Sequence, residues 1–296
     1  MVNKIKENNP LVTVIINCHN GVKFLQCALD SVFQQTYKNM EVIFFDNAST
    51  DLSAEIACQY GDPVQYYRSY NKLTLGEARR QAVNLAKGEY IAFIDCDDVW
   101  HKEKLSKQIS ALSRNNADIC YTSFDCIDAH GKVVKHCKAR NKENDIFNQL
   151  LRRYELCQSS CVLRRQTLLE RQLNFDPRMS YCLDFFLFMK VACIGKAAVV
   201  RECLTSYRIH PDQETNLLGH RKLVEITYAN YCLKIYFGHR LEVNKKSWIL
   251  ARAACDYERS RYLLARNKVK LARRLLKKIS PLRIKYVLAY ISSFTF

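Results

Sequence analysis

Tyr90-Ile91-Ala92-Phe93-Ile94 runs straight into Asp95-Cys96-Asp97-Asp98. The apolar half reads as a strand buried on both faces. Three carboxylates within the next four positions are costly at the end of such a strand unless something cationic meets them. Oxygen ligands of this kind suit Mg2+ or Mn2+, which take one or two protein carboxylates and fill the remaining positions with phosphate oxygens and water. A solvated turn capping a helix that begins near Val99 is the competing explanation.

The segments before it follow one pattern. Val12 to Ile16, Glu41 to Phe45 and Val64 to Arg68 read as strands. Lys23 to Gln34 carries Phe24, Leu25, Ala28, Val32 and Phe33 at helical spacing. Ser53 to Tyr60 reads as a helix capped by Thr50, Asp51 or Ser53, and Leu75 to Lys87 as a helix closed by Gly88. Strands separated by single helices predict parallel pairing in a doubly wound α/β sheet. Ligands of such sheets bind beyond the carboxyl ends of the strands. Those ends are Asn17-Cys18-His19-Asn20, Asp46-Asn47-Ala48-Ser49 and Asp95-Cys96-Asp97-Asp98, three polar clusters on one rim.

From Ala117 the pattern is mixed. Asp118 to Phe124, Lys132 to Lys135 and Cys161 to Arg164 read as short strands, and Asn144 to Arg153 and Asp184 to Ile194 as helices. From about Leu217 the chain is helical, with basic and apolar residues alternating at helical spacing from Arg261 to Lys278. Pro281 interrupts it before a short apolar helix, Leu282 to Phe296.

Across 296 residues, 46 Lys+Arg stand against 29 Asp+Glu, a formal charge of +17. That predicts a polyanionic partner: nucleic acid, an anionic membrane or a phosphorylated substrate. Residues 240–296 hold fifteen Lys and Arg and three acids, so +12 of the excess lies there. The half with the strand-end carboxylates is near balance, which argues against a nucleic-acid enzyme with a basic main groove. The fourteen Cys include no Cys-x-x-Cys pair, which argues against zinc. Cys18, Cys58, Cys120, Cys193 and Cys203 sit in apolar runs and read as small hydrophobes. Met1 to Pro10 is polar and does not read as a secretory leader, so a reducing cytoplasm is expected. No apolar run reaches the roughly 18 residues of a membrane span.

Six segments occur in a telling order. They are Val14-Ile15-Ile16-Asn17-Cys18-His19-Asn20; Leu29-Asp30-Ser31-Val32 with Gln35-Thr36-Tyr37; Asp46-Asn47-Ala48-Ser49-Thr50-Asp51; Ala78-Arg79; Gly88 to Phe93; and Asp95-Cys96-Asp97-Asp98-Val99-Trp100. Over about residues 11–210 this chain resembles a family 2 glycosyltransferase of the GT-A fold. Asn17 stands where that family usually has Pro, His19 where it has Tyr, and Leu183 where it has Glu. The resemblance implies a Rossmann-like mixed α/β sheet flanked by helices. It implies a GT-A domain over 1–215, with a nucleotide-sugar half (about 11–115) and an acceptor half (about 116–215). A basic helical appendage follows over 216–296.

The resemblance also implies roles. Asp46 would accept the imino N–H of a uracil or thymine base, His19 would lie against that base, and Arg79 would lie near the nucleotide. Asp95 would bond ribose hydroxyls, and Asp97 would bind the metal that neutralises the leaving diphosphate. Asp184 would be the general base, with Asp176 as its rival. His210 would reach the metal or the diphosphate, and Arg208 would add positive charge there. Five of these have a plainer alternative: an Asx turn for Asp46, a turn or loop histidine for His19 and His210, a solvated helix face for Arg79 and a helix cap for Asp184.

The expected reaction is inverting transfer from a UDP- or dTDP-sugar to a saccharide acceptor. The basic C-terminal helices, with Leu263, Leu264, Leu271, Leu275 and Leu276 as an apolar stripe, suit either an anionic membrane surface or packing on the catalytic domain. The membrane reading implies a lipid-linked acceptor and a peripheral enzyme at the inner membrane face. A sugar-phosphate nucleotidyltransferase, a basic scaffold or nucleic-acid-binding protein, and an inactive family member are the competing readings. The single Gly after the first strand counts against the first of these, and the helical apolar spacing of the basic run against the second.

Overall fold

The computed structural model describes residues 9–144, 146–237, 245–282 and 284–292. In chain order the elements begin β1 (Val12–Cys18), α1 (Leu25–Phe33), β2 (Met40–Asp46), α2 (Ser53–Cys58), β3 (Val64–Arg68), α3 (Leu75–Leu85) and β4 (Tyr90–Asp95). There follow β5 (Val99–Trp100), α4 (Lys104–Asn115), β6 (Ile119–Ile127), β7 (Val133–Cys137), α5 (Phe147–Arg152), β8 (Cys161–Arg164), α6 (Arg165–Glu170), α7 (Leu183–Ile194) and β9 (Ala197–Arg208). Helices α8 (Glu214–Leu217), α9 (Lys222–Phe237), α10 (Lys245–Ala265), α11 (Val269–Ile279) and α12 (Ile284–Ser292) complete the chain.

The strands form one sheet in the order β3-β2-β1-β4-β8-β6-β9-β5, with β7 paired to β6. The four strands at the β3 end are mutually parallel, as single-helix crossovers require. The acceptor half is mixed, as the pattern from Ala117 onward predicts. β8 runs antiparallel to both β4 and β6, and β6 is parallel to β9. The fold is therefore a mixed α/β sheet flanked by helices. β9 was not anticipated, although Ala197-Ala198-Val199-Val200 is an apolar run that could have marked it.

One face of the sheet buries Val12, Val14 and Ile16 of β1 and Tyr90, Ala92 and Ile94 of β4 against Leu25, Ala28 and Leu29 of α1 and Leu105, Ile109 and Leu112 of α4. Phe93 points the other way, 5.5 Å edge-on to Phe175 and 6.3 Å from Phe188 of α7. Alternation along β4 thus ties the helix that begins with Leu183-Asp184 to the strand that ends in Asp95.

Three expectations need correction. Val99–Trp100 does not open a helix; it is a short strand against Thr205 and Ser206, and α4 starts only at Lys104. Gly88 is not a helix C′ residue, since α3 ends at Leu85. A Cβ at Gly88 would lie 2.5 Å from the Thr13 nitrogen, so glycine is required by close approach to β1. Cys58 and Cys203 are exposed, not core. The apolar stripe of the C-terminal helices partly faces inward: Leu276 is buried with Ala253 and Ile279, Leu263, Leu264 and Leu275 are half-buried, and Leu271 is exposed.

The chain divides into two compact units, residues 1–146 with 155–213, and residues 147–154 with 214–296. In the second, Phe147 meets the Trp248 ring edge-on at 6.3 Å, and Arg152 Nε donates to Ser247 Oγ at 2.9 Å. No helix among the described residues is long and apolar enough to cross a membrane.

Candidate active site

The ends of β1, β2 and β4 bring the three polar clusters together. Cys18 lies opposite Asp46, and Asn17 opposite both Phe45 and Asp95. The loops after β1 and β2 are laced to each other. Asn20 N–H donates to Ser49 Oγ (3.0 Å), Gly21 N–H to Ser53 Oγ (2.9 Å), and Thr50 N–H to Asn20 Oδ1 (2.8 Å). His19 is anchored through Nδ1 to the Asn47 carbonyl at 2.9 Å.

Asp46 is fully buried. Its Oδ1 accepts Ser49 N–H at 2.7 Å, the Asx turn expected from the sequence. Its Oδ2 accepts the Tyr66 hydroxyl at 2.7 Å, with Arg68 at 3.7 Å. Arg79 does not lie on a solvated helix face; it is buried, with Nη2 2.5 Å from Asp95 Oδ1 and the guanidinium 5.9 Å from the Phe175 ring centre. Its Nε is buried without a hydrogen-bond partner, as is Nδ2 of Asn17. Two unpaired buried donors at one rim are unusual and mark a place where a ligand can complete the bonding.

The three carboxylates after β4 part company. Asp95 pairs with Arg79. Asp97 Oδ2 lies 3.1 Å from His210 Nε2. Burial, then the charge of Asp95, push the Asp97 carboxyl above its usual range, with His210 acting in the opposite direction. Asp98 is fully buried; it accepts the Ser159 hydroxyl at 2.5 Å and Arg208 N–H at 2.8 Å. Burial, then its two neighbouring carboxylates, drive its carboxyl well up. Asp98 is thus the tie between β4, β9 and the turn at Ser159, and Asp95 and Asp97 are the partly exposed pair.

Arg208, buried at the end of β9, donates Nε to the Asp97 carbonyl (2.8 Å) and Nη1 to the Asp128 carbonyl (3.2 Å). Its guanidinium stands 4.5 Å from the Phe24 ring centre, and the His210 ring 5.0 Å from the same ring. Asp184 opens α7 and is half-buried. Burial raises its carboxyl, and the charge of Arg79 is the largest opposing influence. Asp176 forms a bidentate pair with Arg178 (2.9 and 2.7 Å), which holds its carboxyl below the usual range. A carboxylate so held is the poorer base of the two.

Sequence reasoning overlooked Tyr66, Phe24, Ser159 and Asp98. The first three lie at long sequence separations from the groups they touch, and no local pattern announces them. Asp98 was visible within the acidic cluster, yet only burial separates its role from that of Asp97.

Residues 13–174 match the profile of Glycosyl transferase family 2. The chain belongs to this family. The matched segment takes in Asp46, Arg79, Asp95 and Asp97, and stops before Asp184, Arg208 and His210. An uncharacterized glycosyltransferase of Rickettsia typhi is 30% identical over 219 residues, 72% of this chain and 69% of that one. The amylovoran biosynthesis glycosyltransferase AmsB of Erwinia amylovora is 29% identical over 210 residues, 67% of this chain and 69% of its own. Among solved structures, S. aureus TarS 1-349 in complex with UDP-GlcNAc superposes with a TM-score of 0.63 at 16% identity, covering 96% of this chain and 89% of that one. The mannosyltransferase PcManGT of Pyrobaculum calidifontis, in complex with GDP-Man and Mn2+, has a TM-score of 0.61 at 17% identity and covers 97% and 80%. At such identities the likeness is one of fold, the mixed sheet with C-terminal helices. The family 2 glycosyltransferase described here shares it.

Proposed function

We propose that this family 2 glycosyltransferase moves a sugar from a UDP- or dTDP-sugar to a saccharide acceptor, with inversion, in the synthesis of a bacterial surface glycan. The observation that carries the reading is the pairing of Asp97 with His210 beside the pairing of Asp95 with Arg79, at the carboxyl end of β4. A relative's part in amylovoran biosynthesis supports the glycan context, and TarS with UDP-GlcNAc supports the donor class. Family membership favours this reading over a nucleotidyltransferase or a basic scaffold.

The site fits Mg2+ or Mn2+. Asp97 is half-buried next to a second carboxylate, an excess of negative charge that a divalent cation relieves, and His210 adds a nitrogen donor 3.1 Å away. When bound, the ion supplies charge neutralisation for the leaving nucleoside diphosphate. Arg208 adds fixed positive charge at the same rim. Asp95 serves ribose hydroxyls with the oxygen that Arg79 leaves free, and the unpaired Arg79 Nε is a donor for the nucleotide. Asp46 meets the base imino N–H through Oδ2 by exchanging the Tyr66 hydroxyl, with His19 against the ring. Asp184 takes the proton of the acceptor hydroxyl at a carboxylate oxygen while that hydroxyl oxygen attacks the anomeric carbon in one displacement.

The acceptor is read as lipid-linked because the second unit carries exposed Arg252, Arg259, Arg266, Lys268, Lys270, Arg274, Lys277 and Lys278 together with exposed Leu271, Leu288 and Ile291. That mixture suits an anionic membrane, with the enzyme peripheral at its inner face. Calorimetry with UDP, dTDP, GDP and ADP in the presence of Mn2+ tests the donor assignment. UDP or dTDP is expected to bind at least tenfold more tightly than GDP; a preference for GDP reverses it.

A further inference from the structure

Away from this rim, β6 lies between β7 and β9 over the second half of its length. Asp125 of β6 is the cross-strand partner of His136 of β7, and Cys203 of β9 pairs in register with Ser123, two residues before Asp125. Alternation puts Ser123 and Asp125 on the same face. Three different metal-binding side chains therefore stand in a row across three adjacent strands. His136 Nδ1–H donates to Asp125 Oδ1 at 2.7 Å, and the Cys203 sulfur lies beside the same carboxylate. The nitrogen, oxygen and sulfur atoms all lie within 4.8 Å of one another.

We propose that Asp125, His136 and Cys203 bind a zinc ion, with a fourth position left to water. A tetrahedral zinc with one sulfur, one nitrogen and one oxygen ligand needs separations of about 3.3–3.8 Å between donor atoms. To reach them, His136 Nδ1 and Asp125 Oδ1, 2.7 Å apart, open by roughly half an ångström while the Cys203 sulfur moves into range, shifts that the exposed His136 and Cys203 side chains are free to make. Mixed soft and borderline ligands select zinc over the magnesium or manganese proposed for the Asp97 site. The site escapes the spacing rule that argued against zinc, because its ligands come from residues 125, 136 and 203 and not from one loop. Once bound, the ion clips the exposed edge strand β7, through β6, to the strand that leads on to Arg208.

The test uses the full chain, stripped with chelator and held in saturating Mg2+ so that harder sites are filled. Zn2+ is titrated against a chromophoric competitor, and Co2+ binding is followed by absorption. One Zn2+ per chain is expected, together with a thiolate-to-cobalt charge-transfer band. Cys203→Ser is expected to abolish the band, and His136→Gln to weaken Zn2+ binding by roughly tenfold or more. Cys126→Ser, in the same hairpin but on the other face, is the control that keeps both signals. Absence of zinc binding by the unmodified chain overturns the proposal, as does a band or affinity unchanged in Cys203→Ser and His136→Gln. Circular dichroism of each variant separates loss of the site from loss of the fold.

Discussion

His210 Nε2 stands 3.1 Å from Asp97 Oδ2, across 113 residues of sequence. Neither residue is placed by its own strand alone. Asp97 follows β4, His210 follows β9, and Asp98 holds the two segments together by accepting Arg208 N–H. The pair is a ready nitrogen and oxygen donor set for a divalent cation.

Asp97→Ala is expected to lower turnover by on the order of 10²–10³-fold, the usual cost of losing a group that meets developing charge. His210→Ala is expected to cost about tenfold, chiefly by weakening metal affinity. Steady-state assays across a Mn2+ titration separate the two effects. Full activity of Asp97→Ala in excess chelator removes the metal from the mechanism.

Asp184→Asn keeps the shape of the side chain and cannot take a proton. Donor binding is expected to stay within about twofold of wild type while transfer falls by roughly 10²–10⁴-fold. Calorimetry with the donor and a transfer assay measure the two separately. Transfer within a few-fold of wild type assigns the base to another group.

Lys104 is fully buried, 3.9 Å from the Trp100 ring centre, and its ammonium has no hydrogen-bond partner. Burial lowers its pKa from 10.5 to about 7. A base whose pKa is depressed on folding carries no penalty above its unfolded pKa. As pH falls from about 10.5 toward 7 the unfolded chain binds the proton first and stability is lost; below 7 both states are protonated and the penalty is constant. Lys104→Met is therefore expected to stabilise the protein by on the order of 4 kcal/mol near pH 7, less the lost contact with Trp100, and by clearly less at pH 9.5. Urea denaturation at the two pH values measures the difference, and an equal or destabilising effect at both contradicts it.

Anionic liposomes are expected to sediment the full chain at low salt, in proportion to their content of acidic lipid. Each basic residue near the surface contributes about 1 kcal/mol, and salt is expected to weaken this contribution more than the apolar one. Truncation before Leu271 is expected to weaken sedimentation and to spare hydrolysis of the soluble donor. Indifference to anionic liposomes at low salt makes the second unit a packing element only.

Much of the nucleotide half was legible because its signals are local. Continuous apolar runs marked β1, β2 and β4, and amphipathic spacing marked α1, because a strand buried on both faces and a helix buried on one impose those patterns over a few residues. The polar ends of these strands could be foreseen to meet on one rim because parallel pairing aligns carboxyl ends. The tertiary structure decided which carboxylate does what. Asp95, Asp97 and Asp98 are equivalent in sequence, and only packing gives the first to Arg79, the second to His210 and the third to a buried tie with Ser159. It also decided that Arg79 is buried, that Asp176 is held by Arg178, and that Asp125, His136 and Cys203 share a face. Those outcomes depend on contacts between residues far apart in the chain, where burial and neighbouring charge set each group's chemistry, and no short-range pattern encodes them.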